Sequence, residues 1–135
     1  MRLFLASVFL SASVFSSAQA HEWLPLEHGH YVEVGVPCAD PSRASMRSYD
    51  GKELGAPFFG ATIFSATKEG DVYTVKQREL DFTLETGNAA EDAKKAEIGT
   101  YRVKVLSKTQ MKINRLDPQS PNDNTWTSFR FCSKM

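Results

Sequence analysis

The chain has 135 residues, with 16 basic and 16 acidic side chains and 41% hydrophobic residues. That balance excludes a nucleic-acid binder held by bulk charge and a polybasic membrane adherer. The length leaves no room for a second domain or for a dinucleotide fold of ordinary size.

Residues 1–20 read MRLFLASVFLSASVFSSAQA. A lone Arg2 precedes an apolar and small-residue run that ends in Ala18-Gln19-Ala20, the layout of a secretory signal. The run is too rich in serine and alanine for a comfortable membrane span. Cleavage after Ala20 would leave 115 residues as a single exported domain, 21–135. Without Arg2, 15 basic side chains stand against 16 acidic ones.

The mature chain begins with a polar lead-in, His21 to Gly29, that holds Trp23 and Pro25. Tyr31 to Val36 then places Val32, Val34 and Val36 on one face, a period-two strand signal. Pro37 to Pro41 reads as a turn holding Cys38. Arg43 to Tyr49 is a weaker strand, closed by Asp50-Gly51, a hairpin pair. Phe58 to Thr67 is apolar and β-branched enough for a third strand, ended by the Lys68 to Asp71 turn. Val72 to Phe82 or Leu84 alternates early, with Tyr73, Val75 and Gln77 on one side. Tyr101, Val103 and Val105 oppose Arg102 and Lys104, the clearest half-buried strand of the chain. Met111 to Arg115 alternates again, and Trp126 to Cys132 closes with Phe129 and Phe131 on one face.

Two stretches break the pattern. Thr86 to Glu97 is alanine-rich and charged without an apolar stripe, so a short helical turn or a mobile loop fits it near 88–96. Asn88 stands in cap position there, with Glu91 three residues later. Asp117 to Asn124 is proline, asparagine and aspartate punctuation, hence a long surface turn. About seven short strands with regular turn signals predict an all-β fold, a small antiparallel barrel or a sandwich.

Cys38 and Cys132 are the two cysteines. An even count in an exported chain favours a disulfide between them, because such compartments are oxidising. Two buried thiols and an intermolecular pair are the alternatives. The same reasoning places the protein in the periplasm or outside the cell.

Three histidines, His21, His28 and His30, gather at the mature start beside Glu27 and Glu33. His28 and His30 are two apart and share a face if extended. An N-terminal His21 can chelate through its amine and ring, and such nitrogens suit copper or zinc. The arrangement resembles the histidine brace of exported copper proteins; the alternative is a polar arm with no specific role.

Catalysis finds little support. No serine sits in a Gly-x-Ser-x-Gly elbow, and the histidines are confined to one arm. Carboxylate pairs such as Asp50 with Glu53, or Asp81 with Glu85, leave a hydrolase as an alternative. The stretch from Tyr49 to Phe59 mixes an aromatic, a tight turn and both charge signs. Tyr49, Asp50, Lys52 and Phe59, with Trp126, therefore form the candidate recognition surface; core packing is the other reading of these aromatics.

In size, export signal and strand content the chain is similar in format to the small periplasmic β-barrel inhibitors of lysozyme. Their inhibitory loop motif is absent, so no functional residue carries over. The expectation is a small binding protein of a bacterial-type cell envelope that engages another protein, such as a wall-degrading enzyme. The alternatives are copper or zinc handling by the histidine arm, and a carboxylate hydrolase.

Overall fold

Short connections set the order of the sheet. Asp50 Oδ1 accepts hydrogen bonds from the backbone N–H groups of Lys52 (2.8 Å) and Glu53 (2.9 Å). This Asx-type turn reverses the chain between β2 (Met46–Tyr49) and β3 (Leu54–Gly55). Two-residue links join β4 (Phe59–Glu69) to β5 (Val72–Asp81), and β6 (Glu97–Ser107) to β7 (Gln110–Leu116). The computed structural model describes residues 22–57, 59–81, 83 and 86–135.

Every strand pairing is antiparallel, and the order is β3-β2-β1-β8-β7-β6-β5-β4, with β1 spanning Gly29–Glu33 and β8 spanning Thr127–Ser133. Eight strands curl into a nearly closed barrel, which decides between the two expected architectures. Strands β2 to β8 fall on the expected segments, except for β3, a two-residue strand too short to carry a periodic signal. The first strand is corrected. It stops at Glu33, because Gly35 takes a positive φ (96°) and Val36 N bonds back to the Glu33 carbonyl at 3.0 Å. Tyr31 enters the core cluster, and of the expected Val32-Val34-Val36 face Val32 is buried while Val34 is exposed.

The first strand closes against the last. β1 pairs with β8, and a disulfide joins Cys38, in the loop after β1, to Cys132 in β8, with Cα atoms 5.7 Å apart. The open edges, β3 and β4, meet at a seam. Ile63 N donates to the Lys52 carbonyl at 2.9 Å. Behind the seam the Gln77 carboxamide ties β5 to β3. Its Nε2 donates to the Leu54 carbonyl (3.0 Å), and its Oε1 accepts from the Leu54 N–H (3.3 Å).

One end of the barrel is floored by the segment before β1. Leu24 and Leu26 are buried there and pack into the cluster of Tyr31, Tyr49, Val75, Val103 and Met111. The Tyr49 hydroxyl donates to the Leu24 carbonyl (2.9 Å) and accepts from the Leu24 N–H (2.8 Å). The Tyr31 hydroxyl donates to the Glu27 carbonyl at 2.7 Å, and its ring meets Phe131 edge-on at 5.6 Å. Full burial of each apolar side chain in this floor contributes roughly 1.5–3 kcal/mol.

The segment between β5 and β6 holds α1, Ala89–Lys95, the helical one of the two alternatives expected there. Asn88 caps it, its side chain accepting from Ala90 N and Glu91 N. Among the described residues no helix is long and apolar enough to cross a membrane.

Candidate functional site

Inward-facing residues change character along the barrel axis. On β5 the inner row runs Val75, Gln77, Glu79; on β7 it runs Met111, Ile113, Arg115; on β6 it runs Val103, then Tyr101. On β2 the row runs from Tyr49 to Arg47, and on β1 from Tyr31 to Glu33. All five progress from the floor to the opposite end, because strand alternation sends every second residue inside. The lower half is an ordinary apolar core. The upper half is charged.

At this mouth lies a cavity of about 620 Å³. Part of the lining is apolar, built from Leu54, Ala56, Pro57, Phe59, Ala61, Ile113 and Phe129; the charged wall carries Glu33, Arg43, Arg47, Glu79, Arg115 and Asp123, with Tyr101. The size falls in the roughly 300–1,000 Å³ range of small-molecule sites.

Glu79 is the hub of the charged wall, its side chain only 11% exposed. Its Oε1 accepts from Gln77 Nε2 at 3.0 Å and from the Tyr101 hydroxyl, and its Oε2 lies 3.5 Å from Arg115 Nη2. Gly99 makes this possible. A Cβ on Gly99 would collide with the Glu79 carboxylate, so only glycine lets the side chain lie across β6. Burial pushes the Tyr101 hydroxyl far above its ordinary pKa, and its bond to Glu79 adds to the shift, so it stays a neutral donor.

Arg47 sits differently. Its guanidinium lies 5.3 Å over the Phe129 ring, and Nη1 donates to the carbonyls of Met46 (2.6 Å) and Ala44 (3.4 Å). Burial pulls its pKa below the usual value, and the charge of Arg115 acts in the same direction. Tyr101, Glu33 and Glu79 act the other way. A guanidinium does not lose its proton in proteins. The mouth therefore holds a partly desolvated cation, and among the described residues no carboxylate is within ion-pairing distance of it.

The residues singled out in the sequence are scattered over the barrel. Tyr49 is buried in the floor, while Asp50 and Lys52 form the β2–β3 turn at the closed end. Phe59 lines the cavity and is 45% exposed. Trp126 is half-buried, its ring 5.3 Å from the Arg102 guanidinium and 5.9 Å from the Lys104 ammonium. Tyr49 thus belongs to the core, and Phe59 alone of the five borders the cavity. Asp50 and Glu53 do lie near each other. Burial and then Asp50 raise the Glu53 pKa, but Asp50 Oδ1 is already engaged by its turn.

His21 lies outside the described residues. His28 stands at the closed end, with its Nε2 2.8 Å from Glu22 Oε1 and its ring edge-on to Tyr49. His30 is in β1, opposite Ser48 and Ser133. Among the described residues no three histidine, cysteine or acidic side chains converge as a metal ion would need.

Arg47, Glu79, Tyr101 and Arg115 were not singled out by the sequence reading. The signal was present: extending the Tyr73-Val75-Gln77 row by one step puts Glu79 inside, and the Met111-Ile113 row does the same for Arg115. A charge at an inward position is the sequence mark of a polar cavity.

No family model matches the chain, no curated protein matches it, and no solved structure matches it.

Proposed function

We propose that this is an exported, non-catalytic binding barrel that takes a small amphiphilic molecule in its mouth. One observation carries the reading: a cavity of about 620 Å³ whose inward positions are charged where packing alone would place aliphatic residues. The opposite end is closed by Leu24 and Leu26, so the cavity is a cup and not a pore. Its described lining contains no histidine, cysteine or serine, and the Glu79 carboxylate is engaged by three donors. Those features support holding a ligand over activating one. Export to the periplasm or beyond is part of the proposal; the leader-like residues 1–20 and the Cys38–Cys132 disulfide support it.

Titration with phenyl-naphthylamine, a neutral fluorophore that brightens in apolar cavities, tests this reading. Saturable one-to-one brightening is expected, abolished by Ala61→Phe, which fills the apolar wall, with the circular dichroism unchanged. No brightening, or brightening that Ala61→Phe leaves intact, refutes it.

A second reading, engagement of another protein such as a wall-degrading enzyme, is favoured by Trp126. An indole flanked by Arg102 and Lys104 has the composition of an interaction hot spot. It predicts stoichiometric inhibition of a lysozyme that Trp126→Ala removes.

A further inference from the structure

Three cations line the mouth, Arg43, Arg47 and Arg115, and the difference between the last two carries information about the ligand. Arg115 already has a carboxylate within reach, Glu79 at 3.5 Å, and its side chain is 62% exposed. Arg47 is held in the barrel wall by two backbone carbonyls and by the Phe129 ring, with no described carboxylate in ion-pairing range. Carbonyl oxygens are neutral acceptors. They fix the guanidinium's direction without cancelling its charge, and a partly desolvated cation is stabilised when an anion reaches it. Glu79 does not serve, because Tyr101, Gln77 and Arg115 already draw on both its oxygens. Glu33 and Asp123 also line the cavity without reaching ion-pairing distance of Arg47, so the site sets an unpaired guanidinium beside an apolar face of Leu54, Phe59 and Ala61.

We infer that the ligand of the barrel mouth is an anionic amphiphile, a carboxylate on an apolar body, with the carboxylate bound by Arg47 and Arg115 and the body laid against the Leu54, Phe59 and Ala61 wall. This rests on the proposal that the cavity binds a small molecule. The planar fork of a guanidinium matches a carboxylate's two oxygens, and such charge-assisted bonds are stronger than neutral ones. Arg47 sets the head-group specificity. Arg115, exposed and already paired, supplements it from the rim. The Tyr101 hydroxyl is committed to Glu79 and is not a head-group donor.

Calorimetric titration of the disulfide-intact protein with decanoate, decanol and decyltrimethylammonium separates the two claims, because the three share an apolar chain and differ in head charge. Decanoate is expected to bind about tenfold or more tighter than decanol, and decyltrimethylammonium weakest, with the decanoate advantage shrinking as salt rises. Arg47→Met is expected to remove that advantage while leaving decanol binding unchanged; Arg47→Lys is expected to restore part of it. Should Arg47→Met fail to fold by circular dichroism, Arg115→Met on the rim and the three-ligand comparison in the unaltered protein still decide. Equal binding of decanoate and decanol, or preference for the ammonium, overturns the head-group inference and leaves the binding cup standing. Failure of all three ligands overturns both.

Discussion

The Gln77 side chain bonds to both the N–H and the carbonyl of Leu54, so one carboxamide ties β5 to β3 behind the seam where the edges β3 and β4 meet. Both partners are buried. Replacement by leucine fills much of the same volume but leaves two backbone groups unsatisfied, at a cost of about 2–4 kcal/mol. Replacement by glutamate keeps an acceptor for the Leu54 N–H, loses the donor, and sets a second carboxylate beside Glu79. Gln77→Glu is therefore expected to destabilise more than Gln77→Leu at neutral pH and to recover in acid. Urea denaturation at the two pH values checks the order; equal stability of both variants with the parent would show that the seam closes without Gln77.

Glu79 can lie across β6 only because position 99 lacks a side chain. Gly99→Ala is expected to push the carboxylate off Tyr101 without touching the cavity's own lining. Tyr101 then loses a charged acceptor that raises its pKa. The spectroscopic titration of Tyr101, isolated by comparison with Tyr101→Phe, should move to lower pH in the alanine variant. An unshifted curve would mean that the carboxylate finds another path to the hydroxyl.

Three of the four tyrosines hold the barrel in a way that depends on their protons. Burial is the main cause in each case; it pushes Tyr31 and Tyr49 up to about 12 and Tyr101 further in the same direction. A pKa raised on folding means that the fold prefers the neutral phenol. That contribution is fully present below the unfolded value of about 10 and is lost as pH rises through the folded values. Stability is therefore expected to fall steeply above about pH 10. Absorbance from the tyrosinates of Tyr31, Tyr49 and Tyr101 should rise in one cooperative step with the loss of circular dichroism. Gradual, independent titration of these three with the fold intact would contradict the burial of Tyr31 and Tyr49 beneath the floor.

Much of the barrel was legible because its strands obey one rule, an inward residue at every second position. Val103 and Val105, Met111 and Ile113, and Phe129 and Phe131 all lie where alternation put them. The rule weakened where a glycine interrupts it, and the valines from 32 to 36 looked like one face only until Gly35 turned the chain. Residue type, when read apart from position, misled the choice of site. Tyr49 was marked as a recognition aromatic, yet its hydroxyl fastens Leu24 in the floor. Arg47 and Glu79 carry charge at inward positions, which residue type alone does not reveal. Nothing local shows that the inward rows of five strands converge at one end. That depends on β1 pairing with β8, a contact between chain segments about as far apart as this domain allows.

The same long-range contact makes the disulfide important to stability. Cys38 and Cys132 are 94 positions apart, so the bond removes a very large loop from the freedom of the unfolded chain. The chain-entropy model values this at about 4–5 kcal/mol, comparable to the whole stability of many domains of this size. In the folded state the bond is not the only tie at that place, since Arg130 Nη2 donates to the Val36 carbonyl at 2.8 Å and β1 remains paired with β8. The Cys38→Ser, Cys132→Ser double variant is therefore expected to keep the native circular dichroism while its urea midpoint drops. Its denaturant slope should rise, because the uncrosslinked chain unfolds further and exposes more surface. A lower midpoint with unchanged slope would place the effect in the folded state instead, and would mean that the loop after β1 depends on the sulfur bridge to stay docked.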